Sequence, residues 1–232
     1  DGIGDNVDLD DDGDTILDLD EDFPHDPLRA YEVGEQVAGE FTRLNVTSAS
    51  SRVAILDQGL TAIALYGGVG LNVAVTEDSL ISGRHYWEVT AQCGPDTLGA
   101  GVGVWNSVDT NSRDFSQYGA VILDGGRLAD REEVVGYVDG GWRDTLKGDI
   151  FQFALDVDFG QLFIGKNGVW AKGQVPGVGE AIVDNLVGPL LGYMSIGKRE
   201  CDPLPIVHNF GNRPFSYDPP LGYFHGYCPS GD

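Results

Sequence analysis

The chain has 232 residues, of which 37 are Asp or Glu and 14 are Lys or Arg, so its formal net charge is −23. A negative charge of this size excludes the electrostatic attraction on which non-specific binding to nucleic acid or to anionic membranes depends. Hydrophobic residues make up 41% of the chain, enough for one core, and 34 Gly with a single Met favour short strands and turns over helices. We therefore expect an all-β protein.

The first 26 residues are strongly acidic, with 12 of the 37 acids and no Lys or Arg. Within them, carboxylates occupy the liganding positions 1, 3, 5, 9 and 12 of an EF-hand-type calcium loop, and a main-chain carbonyl stands at position 7. The predicted ligands are Asp10, Asp12, Asp14, the Ile16 carbonyl, Asp18 and Glu21. The spacing predicts bound Ca²⁺, although position 6 is Thr15 where such a loop normally has Gly.

A partial second loop precedes the first one. Its predicted ligands, at positions 5, 7, 9 and 12, are Asp1, the Ile3 carbonyl, Asp5 and Asp8. Consecutive loops without flanking helices, closed by the sequence FPHDP at 23–27, resemble thrombospondin type 3 repeats. Extracellular loops of this kind bind calcium at about 10⁻⁴ to 10⁻³ M, which indicates a secreted or cell-surface location. The alternative is a solvated acidic linker that binds no metal.

The sequence predicts three regions. Residues 1–27 are the calcium-binding repeat segment, residues 28–50 a linker with a first edge segment, and residues 51–228 a β-sandwich. Because the sequence begins inside the repeat pattern, we expect it to be a monomeric fragment of a longer extracellular protein. No apolar run reaches the roughly 18 residues that cross a bilayer, so we expect no membrane insertion.

The body alternates between apolar and polar residues and is interrupted by turn residues at short intervals. This pattern predicts eleven strands, at 53–57, 62–66, 72–75, 85–93, 99–105, 119–123, 134–138, 150–157, 161–165, 190–196 and 205–210. They predict a two-sheet antiparallel sandwich with a tight hairpin at Asp158-Phe159-Gly160. The predicted core residues are Trp87, Val89, Val102, Val104, Phe151, Phe153 and Leu155.

Four motifs follow one another along the body. They are ISGRHYWEV at 81–89, a Gly-rich strand at 99–104, a hairpin from Gly148-Asp149 to Lys166-Asn167-Gly168, and Asn209-Phe210-Gly211 near the end. In this order they resemble the SPRY (B30.2-like) family. The resemblance implies a bent β-sandwich that binds partners through loops at one end and has no catalytic apparatus. It leaves the ligand open, since one fold can carry very different sites.

Sequence signals for catalysis are sparse. The chain has no GxSxG or HExxH motif, and no P-loop lysine follows the glycines at 99–103. Asp156 and Asp158 could suggest the paired carboxylates of a glycoside hydrolase, but Asp is an ordinary residue at a hairpin turn. We therefore expect a protein that is not an enzyme. The sequence leaves open whether Cys201 and Cys228 form a disulfide.

Two polar loops, at 106–118 and 139–147, contain the candidate ligand-binding residues. These are Arg113, Asp114, Tyr118, Trp142, Arg143 and Asp144. Trp142 stands between two Gly and two charged residues, so it has no apolar neighbours along the chain. An aromatic ring in this setting can stack on a sugar while adjacent polar groups bind hydroxyls, or it can fold back over the rim of the sheet. The same two alternatives hold for Trp170.

These observations predict a non-catalytic binding module. The favoured ligand is a polysaccharide or a cell-surface glycan, bound by a secreted module that calcium-stiffened repeats attach to a larger enzyme or adhesin. The alternative is a module for protein–protein interaction or adhesion, with a protein as its partner.

Overall fold

The computed structural model describes residues 41–46, 49, 53–64, 72–91, 99–106, 118–123, 127–130, 133–137, 147–197, 205–224 and 226–227. These residues form two antiparallel sheets and short 3₁₀ helices at Asp57–Gly59 and Ala171–Gly173. The strands are β1 (Val53–Leu56), β2 (Thr61–Ala64), β3 (Asn72–Val75), β4 (Arg84–Ala91), β5 (Gly99–Asn106), β6 (Tyr118–Leu123), β7 (Arg127–Asp130), β8 (Glu133–Tyr137), β9 (Ile150–Asp156), β10 (Gln161–Lys166), β11 (Val169–Trp170), β12 (Leu190–Gly197) and β13 (Pro205–Asn209).

The strands are divided between a seven-stranded and a six-stranded sheet. The first has the order β1-β2-β13-β4-β9-β10-β11, and the second has the order β3-β12-β5-β6-β7-β8. All described strand pairs are antiparallel. The predicted two-sheet antiparallel sandwich is confirmed, and each of the eleven predicted strands is present with ends shifted by no more than two residues. Strands β7 and β11 were not predicted.

The main core lies between the sheets and is built around Trp87. Its ring stacks on Phe153 at a centroid distance of 5.2 Å and meets Tyr227 edge-on at 5.5 Å. Both sheets contribute, since Ala74 of β3 and Leu190 of β12 belong to the same buried cluster. Of the predicted core residues, Trp87, Val89, Phe151, Phe153 and Leu155 are buried. For Val102 and Val104 the structure describes strand pairing only.

The outer face of the seven-stranded sheet is also covered. Tyr86, Ala154 and Phe163 point away from the main core and pack with Tyr223 and Phe215 from the segment that follows β13. The rings of Tyr86 and Phe215 meet edge-on at 4.9 Å. Because both faces are covered, β9 is buried along almost its whole length. Trp170 packs against this second cluster, so the structure favours the packed alternative for that residue.

A buried ion pair locks the hairpin formed by β9 and β10. Lys166 Nζ lies 2.7 Å from Asp149 Oδ2, and Asn167 Nδ2 donates to the other oxygen of the same carboxylate at 2.7 Å. Asn167 Oδ1 in turn accepts a hydrogen bond from the Ile150 amide at 2.8 Å. The Gly148-Asp149 and Lys166-Asn167-Gly168 motif therefore has a structural role, since its side chains join the start of β9 to the end of β10.

Residues 41–46 pack on the sandwich beside its last described residues. Leu44 is buried in the main core and its amide donates to the Gly59 carbonyl at 2.8 Å. The Thr42 amide donates to the Tyr227 carbonyl at 3.3 Å, so the first and the last described segments lie side by side. Among the residues that the structure describes, no helix has the length and apolar character needed to cross a membrane.

Candidate ligand-binding site

The two loops predicted to bind a ligand are anchored at different places. The first begins and ends on the six-stranded sheet, whereas the second runs from the six-stranded to the seven-stranded sheet. Tyr118 opens β6 opposite Trp105, at the end of the sheet where β12 begins. The second loop runs from Tyr137 to Ile150, and both of these strand ends lie at the opposite end of the molecule. The residues Arg113, Asp114, Trp142, Arg143 and Asp144 lie outside the described residues. A joint site formed by both loops stays a prediction.

The predicted calcium ligands also lie outside the described residues, as does the whole segment 1–40. They are Asp1, Ile3, Asp5, Asp8, Asp10, Asp12, Asp14, Ile16, Asp18 and Glu21. Within the part of the chain that is described, no group of three or more His, Cys, Asp or Glu side chains could hold a metal ion. The calcium site therefore stays a prediction for the acidic segment.

Three chain segments meet at the end of the sandwich where β9 ends and β12 begins. They are the residues before β4, the turn between β9 and β10 at 157–160, and the residues 185–189 that precede β12. The Val157 amide donates to the Gly83 carbonyl at 2.9 Å, and the Leu186 amide donates to the Gly160 carbonyl at 3.0 Å. Leu80 and Leu190 exchange two main-chain hydrogen bonds of 2.8 and 2.9 Å. Main-chain bonds thus hold all three segments in fixed positions.

Gly160 allows the closest of these approaches. Its φ of +63° belongs to the left-handed region, and a Cβ at this position would stand 2.9 Å from the Leu186 nitrogen and nearer still to the Leu186 carbonyl oxygen. A side chain would therefore force the turn and the 185–189 segment apart. Gly160 is therefore needed for the Asp158-Phe159-Gly160 turn and also for the close contact between this turn and Leu186.

The three segments enclose a groove of about 550 Å³, which we call the hairpin-end groove. It is lined by Ile81, Val157, Asp158, Phe159, Gly160, Asn185, Leu186, Val187, Gly188 and Pro189. Leu186 is buried, whereas Ile81, Phe159 and Val187 remain 71, 70 and 71% exposed. Large apolar side chains held together in solvent, one from each segment, are typical of a surface that a partner covers.

Among the described residues, the charge beside the groove is net negative, because the nearby Arg84 is paired with Asp156. Asp158 is exposed, and its Oδ1 accepts a hydrogen bond from the Gly83 amide at 3.1 Å. Asp184 is also exposed and accepts from Gln161 Nε2 at 3.1 Å. None of the ten described residues that line the groove is Lys or Arg. An apolar groove with carboxylates at its edge is complementary to an apolar group that carries positive charge beside it.

Neighbouring carboxylates are engaged in structural bonds. Asp156 Oδ2 accepts from Arg84 Nε at 2.7 Å, and Oδ1 accepts from the Phe159 amide at 3.0 Å, which fixes the turn. The hydrogen bond and the negative charge of Asp156 raise the pKa of Arg84. Glu88 is buried and accepts from the Ser216 and Tyr217 amides, each at 2.9 Å. Asp156 therefore serves the turn and Glu88 anchors the segment after β13.

The described histidines are buried within the fold. Burial is the main cause that lowers the pKa of His208 to about 3, and both of its ring nitrogens lack a hydrogen-bond partner among the described residues. The ring stacks on Phe210 at 5.3 Å. Burial also lowers the pKa of His85, whose Nε2 lies 2.7 Å from the Ser82 carbonyl oxygen. Both rings are neutral and inaccessible, so they belong to the packing of the sandwich.

The described part of the chain is a SPRY-like β-sandwich. Among solved structures, the SPRY domain of human HERC1 aligns with 71% of this chain and 96% of its own, with a TM-score of 0.50 and 17% identity. The Stonustoxin structure aligns with 73% of this chain, with a TM-score of 0.54 and 13% identity, and the chain spans 27% of the Stonustoxin chain. No protein-family model and no curated protein match the sequence. At these identities the likeness is one of fold.

The hairpin-end groove was not predicted from the sequence. The prediction concentrated on aromatic residues in long polar loops, whereas Phe159 stands at the tip of a short turn and Ile81 lies just before a strand. One signal was present, since the middle residue of the Asp158-Phe159-Gly160 turn is a large apolar residue where turns normally carry small or polar ones. Its neighbours Ile81 and Val187 are remote in sequence and come together only in the fold.

Proposed function

We propose that this chain is a non-catalytic binding module that docks a protein partner through the hairpin-end groove. The observation that carries the proposal is the exposure of Ile81, Phe159 and Val187 on segments fixed by main-chain hydrogen bonds. A surface prepared in this way avoids most of the entropy cost of ordering loops during binding. Two of these three side chains, Ile81 and Val187, are branched aliphatic residues, which suit a protein partner because they offer no flat ring face for a sugar.

The surrounding groups support a binding role over a catalytic one. Asp156 is held by Arg84 and by the Phe159 amide, and His85 and His208 are buried. General acid–base catalysis needs a titratable group within reach of the substrate. The groove offers one exposed carboxylate, Asp158, and a second exposed carboxylate, Asp184, precedes the lining residue Asn185 in the chain; each accepts one hydrogen bond from the protein.

A second candidate is binding of a polysaccharide or a cell-surface glycan. It rests on Trp142, which has Gly on one side and Arg143-Asp144 on the other, and on Tyr118 with Arg113 and Asp114. Tyr118 opens β6 at the same end of the sandwich as the hairpin-end groove. The calcium-loaded acidic segment and a secreted location belong to both proposals.

One pair of variants separates the two functions. The protein would be presented to a glycan array with marine and plant polysaccharides and to a library of displayed peptides, as wild type, Phe159→Ser and Trp142→Ala. Protein binding predicts peptide ligands whose affinity falls about tenfold or more in Phe159→Ser, because truncation of a central apolar contact costs about 2 kcal/mol. Glycan binding predicts selective sugars that are lost in Trp142→Ala.

The matched control is Val169→Ser. Val169 is 64% exposed and lies in β11, at the end of the sheet opposite the turn between β9 and β10. It should bind the same peptides as the wild type. Peptide ligands that are equally weakened by Phe159→Ser and Val169→Ser would contradict binding in the groove.

A further inference from the structure

The hairpin-end groove and the charge around it define the kind of partner that fits. We propose that its occupant is a segment of another protein in which an aliphatic or aromatic side chain stands next to Lys or Arg. This inference rests on the proposed function and specifies the partner of the same site.

The apolar requirement follows from the shape of the site. Phe159, Ile81 and Val187 border the groove with most of their side-chain surface in solvent, and Leu186 lies buried beneath them. The groove volume of about 550 Å³ lies within the usual size range of clefts that bind ligands in proteins. An occupant must therefore insert apolar atoms to gain from the contact.

The basic requirement follows from the carboxylates. Asp158 Oδ1 is engaged by the Gly83 amide, which fixes the side chain at the groove and leaves Oδ2 without a hydrogen-bond partner among the described residues. Among the described residues, the only charged side chain that lines the groove is therefore an oriented carboxylate with one oxygen to offer. A Lys or Arg beside the inserted apolar residue would complete it with a charge-assisted hydrogen bond.

Charge also opposes occupants drawn from this chain. A second copy brings a net charge of −23, and residues 1–26 bring 12 acids with no Lys or Arg. Either would place carboxylates against Asp158 and Asp184, where like charges repel. A basic partner gains from the same field, which raises its rate of association at low ionic strength.

The test selects ligands without assuming a partner. A phage-displayed library of random dodecapeptides would be panned on the whole immobilised protein, with counter-selection on Phe159→Ser. Selected peptides would be synthesised and titrated by fluorescence anisotropy against wild type, Phe159→Ser, Asp158→Asn and Val169→Ser. We expect peptides that pair an apolar residue with Lys or Arg within a few positions.

The expected affinities differ among the variants. Peptide affinity should fall about tenfold or more in Phe159→Ser and about three- to tenfold in Asp158→Asn. It should stay unchanged in Val169→Ser. The loss in Asp158→Asn should shrink as salt increases, because exposed charges are screened over about 10 Å at 0.1 M ionic strength. Replacing the peptide's Lys or Arg by Gln should produce the same loss on wild type and no loss on Asp158→Asn.

Several results would overturn the inference. Peptides without Lys or Arg that still depend on Phe159 would keep the protein-binding function but reject the basic partner. Peptides that bind Phe159→Ser and the wild type with equal affinity would reject both the protein-binding function of the groove and the basic partner. Sedimentation showing a dimer that Phe159→Ser dissolves would assign the groove to a second copy. A melting temperature several degrees lower in Phe159→Ser, with Val169→Ser unchanged, would assign it to a segment of this chain.

Discussion

Two buried tyrosine hydroxyls provide a direct test of the packing described for the sandwich. Tyr227 is fully buried, and its hydroxyl accepts a hydrogen bond from the Gly192 amide at 3.0 Å. It also lies 3.0 Å from the Leu190 carbonyl and 3.1 Å from the Asp78 carbonyl, to one of which it donates. Tyr223 is 4% exposed, and its hydroxyl has no hydrogen-bond partner among the described residues.

Replacing each tyrosine by Phe should affect stability differently. Tyr227→Phe leaves the Gly192 amide buried and unpaired, which costs about 1–3 kcal/mol of unfolding free energy. Tyr223→Phe removes a hydroxyl whose burial is uncompensated, so stability should stay unchanged or rise. For a domain of about 200 residues, a loss of about 2 kcal/mol lowers the melting temperature by roughly 4–8 °C.

Urea unfolding monitored by tryptophan fluorescence would measure both variants under the same conditions. The wild type supplies the reference, and equal m-values would show that the midpoints report stability. Burial raises the pKa of Tyr227 and raises that of Tyr223 to about 12, so both hydroxyls are protonated at neutral pH and no change of charge complicates the comparison. A Tyr227→Phe variant at least as stable as Tyr223→Phe would refute the hydrogen-bond assignment.

Three further predictions concern other parts of the molecule. The pKa of His208 falls from 6.5 to about 3 on folding, so stability should decrease as the pH drops below 6.5. When the pH is lowered from 7 to 4, the free energy of unfolding measured in urea should fall by about 3 kcal/mol less for His208→Leu than for the wild type. Glu88→Gln should speed hydrogen exchange at the Ser216 and Tyr217 amides about tenfold or more, since bonds to a charged group contribute about 1.5–3 kcal/mol. Calorimetry in millimolar calcium should detect binding to residues 1–27, and a chelator should leave the main thermal transition of the sandwich unchanged; absence of binding heat would refute the site.

Much of the fold was predictable because strand patterns are local. Alternation around Trp87 and around Phe153 placed β4 and β9 and identified inward-facing residues that the structure buries. Strand β11 was not predicted, because two residues are too few to show an alternating pattern. Strand β7, with the sequence RLAD, is four residues long and carries charged residues at both ends.

The covered outer face could not be predicted from strand patterns alone. Tyr86 and Phe163 occupy positions that alternation assigns to solvent, yet both are buried by a segment without regular structure after β13. Periodicity identifies which residues share a face, but it does not show what lies against that face. The hairpin-end groove has the same origin, since three segments remote in sequence form it and no local pattern links them.

The hydrogen bond between Thr42 and Tyr227 has a practical consequence for protein engineering. Because these two residues are neighbours, the segment 42–227 has ends that lie close together, a geometry that favours insertion into an exposed loop of another protein. Joining the two points with a short linker would equally allow new termini to be opened elsewhere, with exposed turns as the natural sites. A permuted version opened in an exposed turn remote from the groove would leave the hairpin-end groove available for display.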